Sequence, residues 1–196
     1  MIELTKRQKE IIEVTIKLIA EKGIQNLTIK NISEKMNISE PAIYRHFNSK
    51  QTILITLLDT FEANFNQIIE NINAQNNSNI KKLEQFYLQR CEKIAQNPDI
   101  AKVIFSEEIF QNEKELSDKV HSIMRKNQEA ISKIIANAQK ENEIRIDISQ
   151  QHLSMIILGS LRLLITRWRL TDHSFDLVDE SKNVWNSLLK MIKTEV

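Results

Sequence analysis

The 196-residue chain has only two glycines, two prolines and one cysteine. A β-protein of this size uses many glycines and prolines in its turns, so their scarcity excludes a many-stranded sandwich or barrel. It points to long helices joined by short connections, an all-α protein. The lone Cys91 cannot form an internal disulfide and is expected to be a small core residue in a reducing cytosol. A long apolar run is missing too. The most apolar window, Leu153 to Ile165, is broken by Ser160 and Arg162 and falls short of the roughly 20 residues a membrane span needs. The opening MIELTKRQKEIIEV lacks the apolar core of a signal peptide. A cytoplasmic protein is expected.

Enzyme chemistry is missing from the pattern as well. No glycine-rich phosphate loop, Ser-His-Asp arrangement or paired-carboxylate cleft is evident. His121, His152 and His173 lie far apart with no carboxylate or cysteine at ligand spacing. No catalytic residue, metal or cofactor is therefore expected. The net charge of +1 conceals a mild bias. Residues 1–52 carry a balance of +3 and the remainder −2, too little to identify a partner by itself.

The hydrophobic period places the helices. Ile11, Thr15, Leu18 and Ile19 share one face of a helix over Lys6–Lys22, and Gly23 is its stop signal. Thr28 suits the N-cap of a short helix to Met36, and Ser39 that of another over Glu40–Phe47 with Pro41 in its first turn. Asn48 or Ser49 then caps a long helix whose stripe is Leu54, Leu57, Leu58, Phe61, Phe65, Ile68 and Ile72. Helices follow over Ile80–Gln96, from Val103 to Phe110, and from Leu116 to Ala138. ENEIRID alternates enough for an extended connector.

The last two helices differ from these. Over Gln151–Trp168 apolar residues cover nearly the whole circumference, and such a helix must be covered on all sides. A second copy of the chain is the simplest cover for the face its own domain leaves open. Leu153, Ile157, Leu161, Leu164 and Trp168, with Val184, Trp185, Leu188 and Ile192 of the final helix, are expected in a twofold dimer interface. Gly159 and Ser160 would admit a close partner.

Two short helices around a tight turn, Thr28–Met36 and Glu40–Phe47, make a helix-turn-helix. Ile32, Met36, Ile38, Ile43 and Phe47 face inward, which leaves Glu40, Ala42, Tyr44, Arg45 and His46 pointing out. That is the arrangement a major groove receives. Arg45 has the fork for guanine or a phosphate, and Ala42 a methyl for thymine. Glu40 can accept from a cytosine amino group. Tyr44 and His46 can donate to phosphates. Thr28 and Lys50 stand at helix N-termini, where the dipole favours an anion. With Ser39 and Pro41 at the start of the second helix, these residues form the expected interface with double-stranded DNA.

The stretch from Ile12 through Thr28-Ile29, Met36-Asn37-Ile38-Ser39 and AIYRHFNSK to Leu54 resembles the N-terminal domain of TetR/AcrR transcriptional regulators. The likeness is dense over about the first 55 residues and rests above all on AIYRHFNSK. One departure is Asn37, where many relatives have glycine; asparagine also tolerates a left-handed backbone. The resemblance implies a helix-turn-helix head over 1–50 and a helical effector-binding and dimerisation body over 51–196. It also implies a homodimeric repressor of a palindromic operator, released by a small apolar or amphipathic molecule. An alternative within the same family is a DNA-tethered adaptor of the nucleoid-occlusion type that acts through a protein partner. An effector pocket inside the body is implied, with Phe61, Phe65, Phe86, Tyr87, Cys91, Phe105, Phe110, His121, Met124 and Trp168 as candidate lining.

Overall fold

The structure, a computed structural model, describes residues 4–104 and 113–193. Among the described residues nine α-helices succeed one another. They are α1 (Lys6–Lys22), α2 (Ile29–Met36), α3 (Glu40–Tyr44), α4 (Lys50–Asn73), α5 (Asn79–Gln96), α6 (Pro98–Ile104), α7 (Lys114–Lys140), α8 (Gln150–Leu170) and α9 (Leu177–Ile192), with one 3-10 turn at Ile24–Asn26. The chain is all-helical. A single antiparallel bridge, Ile144 with Lys193, is the strand-like pairing among the described residues. There the expected alternation holds: Ile144 is buried and Ile146 exposed.

The helices start where a side chain meets the free N–H groups of a first turn. Thr5 and Gln8 form a reciprocal capping box on α1. Thr28 accepts from Asn31 N–H at 3.0 Å and Ser49 from Thr52 N–H at 3.1 Å, which decides between Asn48 and Ser49. Ser78, Ser149 and Asp176 do the same for α5, α8 and α9. Gly23 ends α1 at φ +76°, a backbone region that any side chain would strain. Two expectations need correction here. Ser39 precedes α3, but its side chain makes no cap hydrogen bond, and α3 stops at Tyr44 instead of reaching Phe47.

The chain divides into two compact units, Met1–Asn64 with Lys102–Ile123 and Phe65–Ala101 with Met124–Val196. The first is built on Ile11, Leu18, Ile19, Ile32, Ile43, Phe47, Leu54 and Leu57, all buried. Lys119 of α7 joins it to α4 through Asp59 at 2.5 Å and Glu62 at 2.8 Å. Burial alone would lower the lysine's pKa, but the two carboxylates outweigh it and hold the ammonium charged. In the second unit α5 packs on α8 and α9, with the Tyr87 and Trp185 rings 5.7 Å apart and the Tyr87 hydroxyl 3.3 Å from Ser160 Oγ.

The dimer residues expected from sequence are largely used up inside the chain. Leu153, Ile157, Leu161, Leu164, Trp168, Trp185, Leu188 and Ile192 are all buried in its own core, and only Val184 keeps partial exposure. The apolar period was right, but the inner and outer faces of α8 had been exchanged. The open stripe is Met155, Ile156, Gly159, Leu163 and Leu170. Trp168 has a different task. Its Nε1 donates to the Phe175 carbonyl at 3.0 Å and its ring lies 4.2 Å from that of His173, pinning the α8–α9 loop.

Glu143, in the connector before α8, caps α5 from a distance. Its carboxylate accepts from Asn79 N–H at 3.0 Å, Ile80 N–H at 2.8 Å and Asn79 Nδ2 at 3.1 Å. Burial pushes its pKa up, yet the N–H donors outweigh this and hold it below the usual carboxylate range. A depressed folded-state pKa contributes stability above the unfolded value, and that stability is lost as pH falls through the folded one. Glu143→Ala should cost about 1–3 kcal/mol at pH 7, since two helix N–H groups lose their acceptor. Urea unfolding repeated near pH 3 should find the gap from the wild type much reduced.

Candidate nucleic-acid interface

The head is assembled around one left-handed residue. Asn37 has φ 53° and ψ 46°. Its N–H donates to Glu34 C=O at 3.1 Å, and that of Ile38 to Ser33 C=O at 3.0 Å. This pair of bonds closes α2 and redirects the chain into α3. Asparagine in the turn therefore does what glycine would. Across the turn Ile32 and Ile43 are fully buried and Phe47 nearly so, each contributing about 1.5–3 kcal/mol. Met36 and Ile38, expected inward, are half-buried at the edge of this core.

With that inner face consumed, the other face of α3 is open. Ser39, Glu40, Pro41, Tyr44 and Arg45 are exposed, whereas Ala42 and His46 are only half-buried. Tyr44 is 49% exposed, a large outlay of aromatic surface that the core does not use. Arg45 follows the last turn of α3 with helical dihedrals, φ −65° and ψ −19°. Thr28 is exposed at the N-cap of α2, and half-buried Lys50 begins α4. Among the described residues neither Arg45 nor Lys50 forms an ion pair, so both cations are available to an external anion.

A positioning contact escaped the sequence reading. Gln8 Nε2 of α1 donates to the His46 carbonyl at 3.3 Å, fastening the end of the outward helix to the first. Gln8 also serves the capping box, so its local pattern gave no sign of a link 38 residues away.

The residues suggested for an internal pocket fare unevenly. Phe65 and Phe86 meet edge to face at 5.5 Å. Tyr87 and Cys91 are buried, on the side of α5 that carries Trp185 and Ser181. Burial pushes the pKa of each up to about 12, so both are neutral. Phe61 is buried in the first unit. His121 and Met124 are exposed, which corrects their placement in an interior. Trp168 is spent on the α8–α9 loop. Phe105 and Phe110 lie outside the described residues. No cluster of three His, Cys, Asp or Glu side chains suited to a metal occurs among the described residues, nor is any helix among them long and apolar enough to cross a membrane.

A rigid helix pair with an apolar inner face and a short outward helix defines a DNA-binding helix-turn-helix regulator. Residues 11–57 match the bacterial regulatory proteins of the tetR family, and residues 61–191 match the C-terminal region of YsiA-like proteins. The chain belongs to the tetR family of transcriptional regulators and is not an enzyme. It is 24% identical to the fatty acid metabolism regulator protein of Bacillus subtilis, over 93% of this chain and 94% of that protein. The solved fatty acid degradation regulator FadR of Bacillus halodurans superposes with a TM-score of 0.86 at 21% identity, covering 96% and 97% of the two chains. The FadR regulator of Bacillus subtilis, solved in complex with stearoyl-CoA, gives 0.80 at 23% identity, covering 92% and 97%.

If the left-handed turn sets the head, Asn37→Ala should lower its stability by about 1–2 kcal/mol. Asn37→Gly should keep the wild-type melting temperature to within a few degrees, as calorimetry on both variants would measure.

Proposed function

We propose that the protein is a homodimeric repressor that binds a palindromic operator through residues 1–50. A long-chain acyl compound of the acyl-CoA type, bound in the helical body over 51–196, releases it. The observation that carries this reading is the match of both halves at once. A tetR head is joined to a YsiA-like body, and a fatty acid metabolism regulator aligns along nearly the whole chain. The relative crystallised with stearoyl-CoA supports the ligand class.

In this reading Arg45 reads a base edge, with Ala42 and Glu40 beside it. Thr28, Ser39, Pro41, Tyr44, His46 and Lys50 set the register on the phosphates. Two heads then lie about one helical turn, ~34 Å, apart. Arg45→Ala should change the preference at one base position by about 1–3 kcal/mol. Tyr44→Phe should weaken all sites alike. Binding selections on randomised duplexes distinguish the two, and a uniform loss with Arg45→Ala would reassign that residue to the backbone.

The second copy covers the open stripe of α8, where bare Gly159 permits close approach and Met155, Ile156, Leu163 and Leu170 supply apolar surface. Leu163→Glu should give folded monomers with weak operator affinity. Trp185→Glu should instead unfold the chain, because Trp185 is 1% exposed. Light scattering with circular dichroism separates the outcomes, and a Leu163→Glu dimer of unchanged mass would refute this interface. Genome-wide mapping of bound sites tests the role: one or a few promoter palindromes fit the repressor, many scattered sites the adaptor.

A further inference from the structure

One cation in the body has no counter-charge. Arg90 stands on α5 one turn beyond Phe86, within the stripe Leu83, Phe86, Tyr87, Cys91 and Ile94 that faces the core. Protein encloses its guanidinium, and that burial lowers its pKa. The residue nevertheless keeps some accessible surface, so this surface faces a recess and not open solvent. Its Cζ lies 5.9 Å from the centroid of the Phe65 ring on α4. No hydrogen bond or ion pair reaches it among the described residues. The nearby thiol of Cys91 is neutral and supplies no negative charge.

Water or a carboxylate normally satisfies an arginine, and a buried guanidinium without either is costly. The contact with Phe65 recovers only a small part of that cost. Natural cores rarely keep such a residue for packing alone. Asn127 Oδ1 on α7, in the same unit, is likewise buried without a donor. The interior thus holds two polar groups that its own side chains leave unmatched.

We infer that Arg90 receives the negatively charged head of the effector, a carboxylate or phosphate on an acyl chain, with Phe65 and Phe86 as the apolar wall beside it. This rests on the acyl-effector reading and adds the protein group that meets the ligand's polar end. A guanidinium offers a planar pair of N–H donors to an oxyanion, and the bond is strong where water is excluded. The ligand would complete a core that is unfinished without it.

Calorimetric titration of the full-length protein with palmitate, palmitoyl-CoA and uncharged hexadecanol tests the inference on wild type, Arg90→Met and Arg90→Lys. Arg90→Met should weaken the anion that uses this site at least tenfold and leave hexadecanol unchanged, while Arg90→Lys should restore part of the loss. Whichever of palmitate and palmitoyl-CoA responds identifies the source of the head group. Without ligand, Arg90→Met should melt no lower than the wild type, since a buried charge has been removed. Equal affinities of wild type and Arg90→Met for both anions would overturn the inference and leave the acyl effector standing. Failure of every acyl probe to bind the wild type would overturn both. A lowered melting temperature with equal losses for all three probes would make Arg90 structural and overturn the inference as well.

Discussion

The working head of this protein depends on one exchange between backbone conformation and burial. Asn37 takes a left-handed conformation, and in return Ile32 and Ile43 meet in a sealed core beside α1. Every exposed side chain of α3 is exposed because that core has taken its other face. Tyr44 and Arg45 point out since Ile43 and Phe47 point in, and a five-residue helix has no third option. Gln8 then fixes the end of α3 to the first helix. A groove-reading element must be rigid before it meets DNA, because any ordering left to the binding step subtracts from affinity.

The body follows the same logic with larger pieces. Tyr87 and Cys91 occupy one side of α5, toward α8 and α9, while Phe86 and Arg90 occupy the side toward Phe65. The first side is chemically complete: a hydroxyl pair, a tilted aromatic pair and a neutral thiol. The second contains a cation without an anion. Stability is concentrated where polar groups are matched, and the unmatched side is where a ligand has energy to contribute. The proposed effector site and the core are thus two faces of one helix.

Much of this was legible in the residue order. Helix limits followed from caps, as at Thr5, Thr28 and Ser149, because capping is a bond between residues three apart. The head was legible for the same reason, its turn and outward face lying within 20 consecutive residues. The site residues of the body were not. Arg90 occupies a stripe position that reads as core, and a cation there looks like a surface residue until its neighbours are known. His121 and Met124 read as interior and are exposed. Glu143 caps a helix 63 residues away, and no local pattern announces that.

The helix α8 draws the dividing line most clearly. Its sequence determined that it is a helix, that it is apolar nearly all round, and that its own core can use only part of that surface, since side-chain period and hydrophobicity are properties of consecutive residues. It also determined the head, where every partner is near in the chain. Tertiary structure alone decided which arc of α8 faces inward, burying Ile157 and Leu161 and leaving Met155 and Leu163 outside. It likewise decided that Arg90 would meet an aromatic ring and no carboxylate. A uniformly apolar circumference carries no direction of its own, and a lone charge none of its partners. Both are settled by which distant helix arrives beside them.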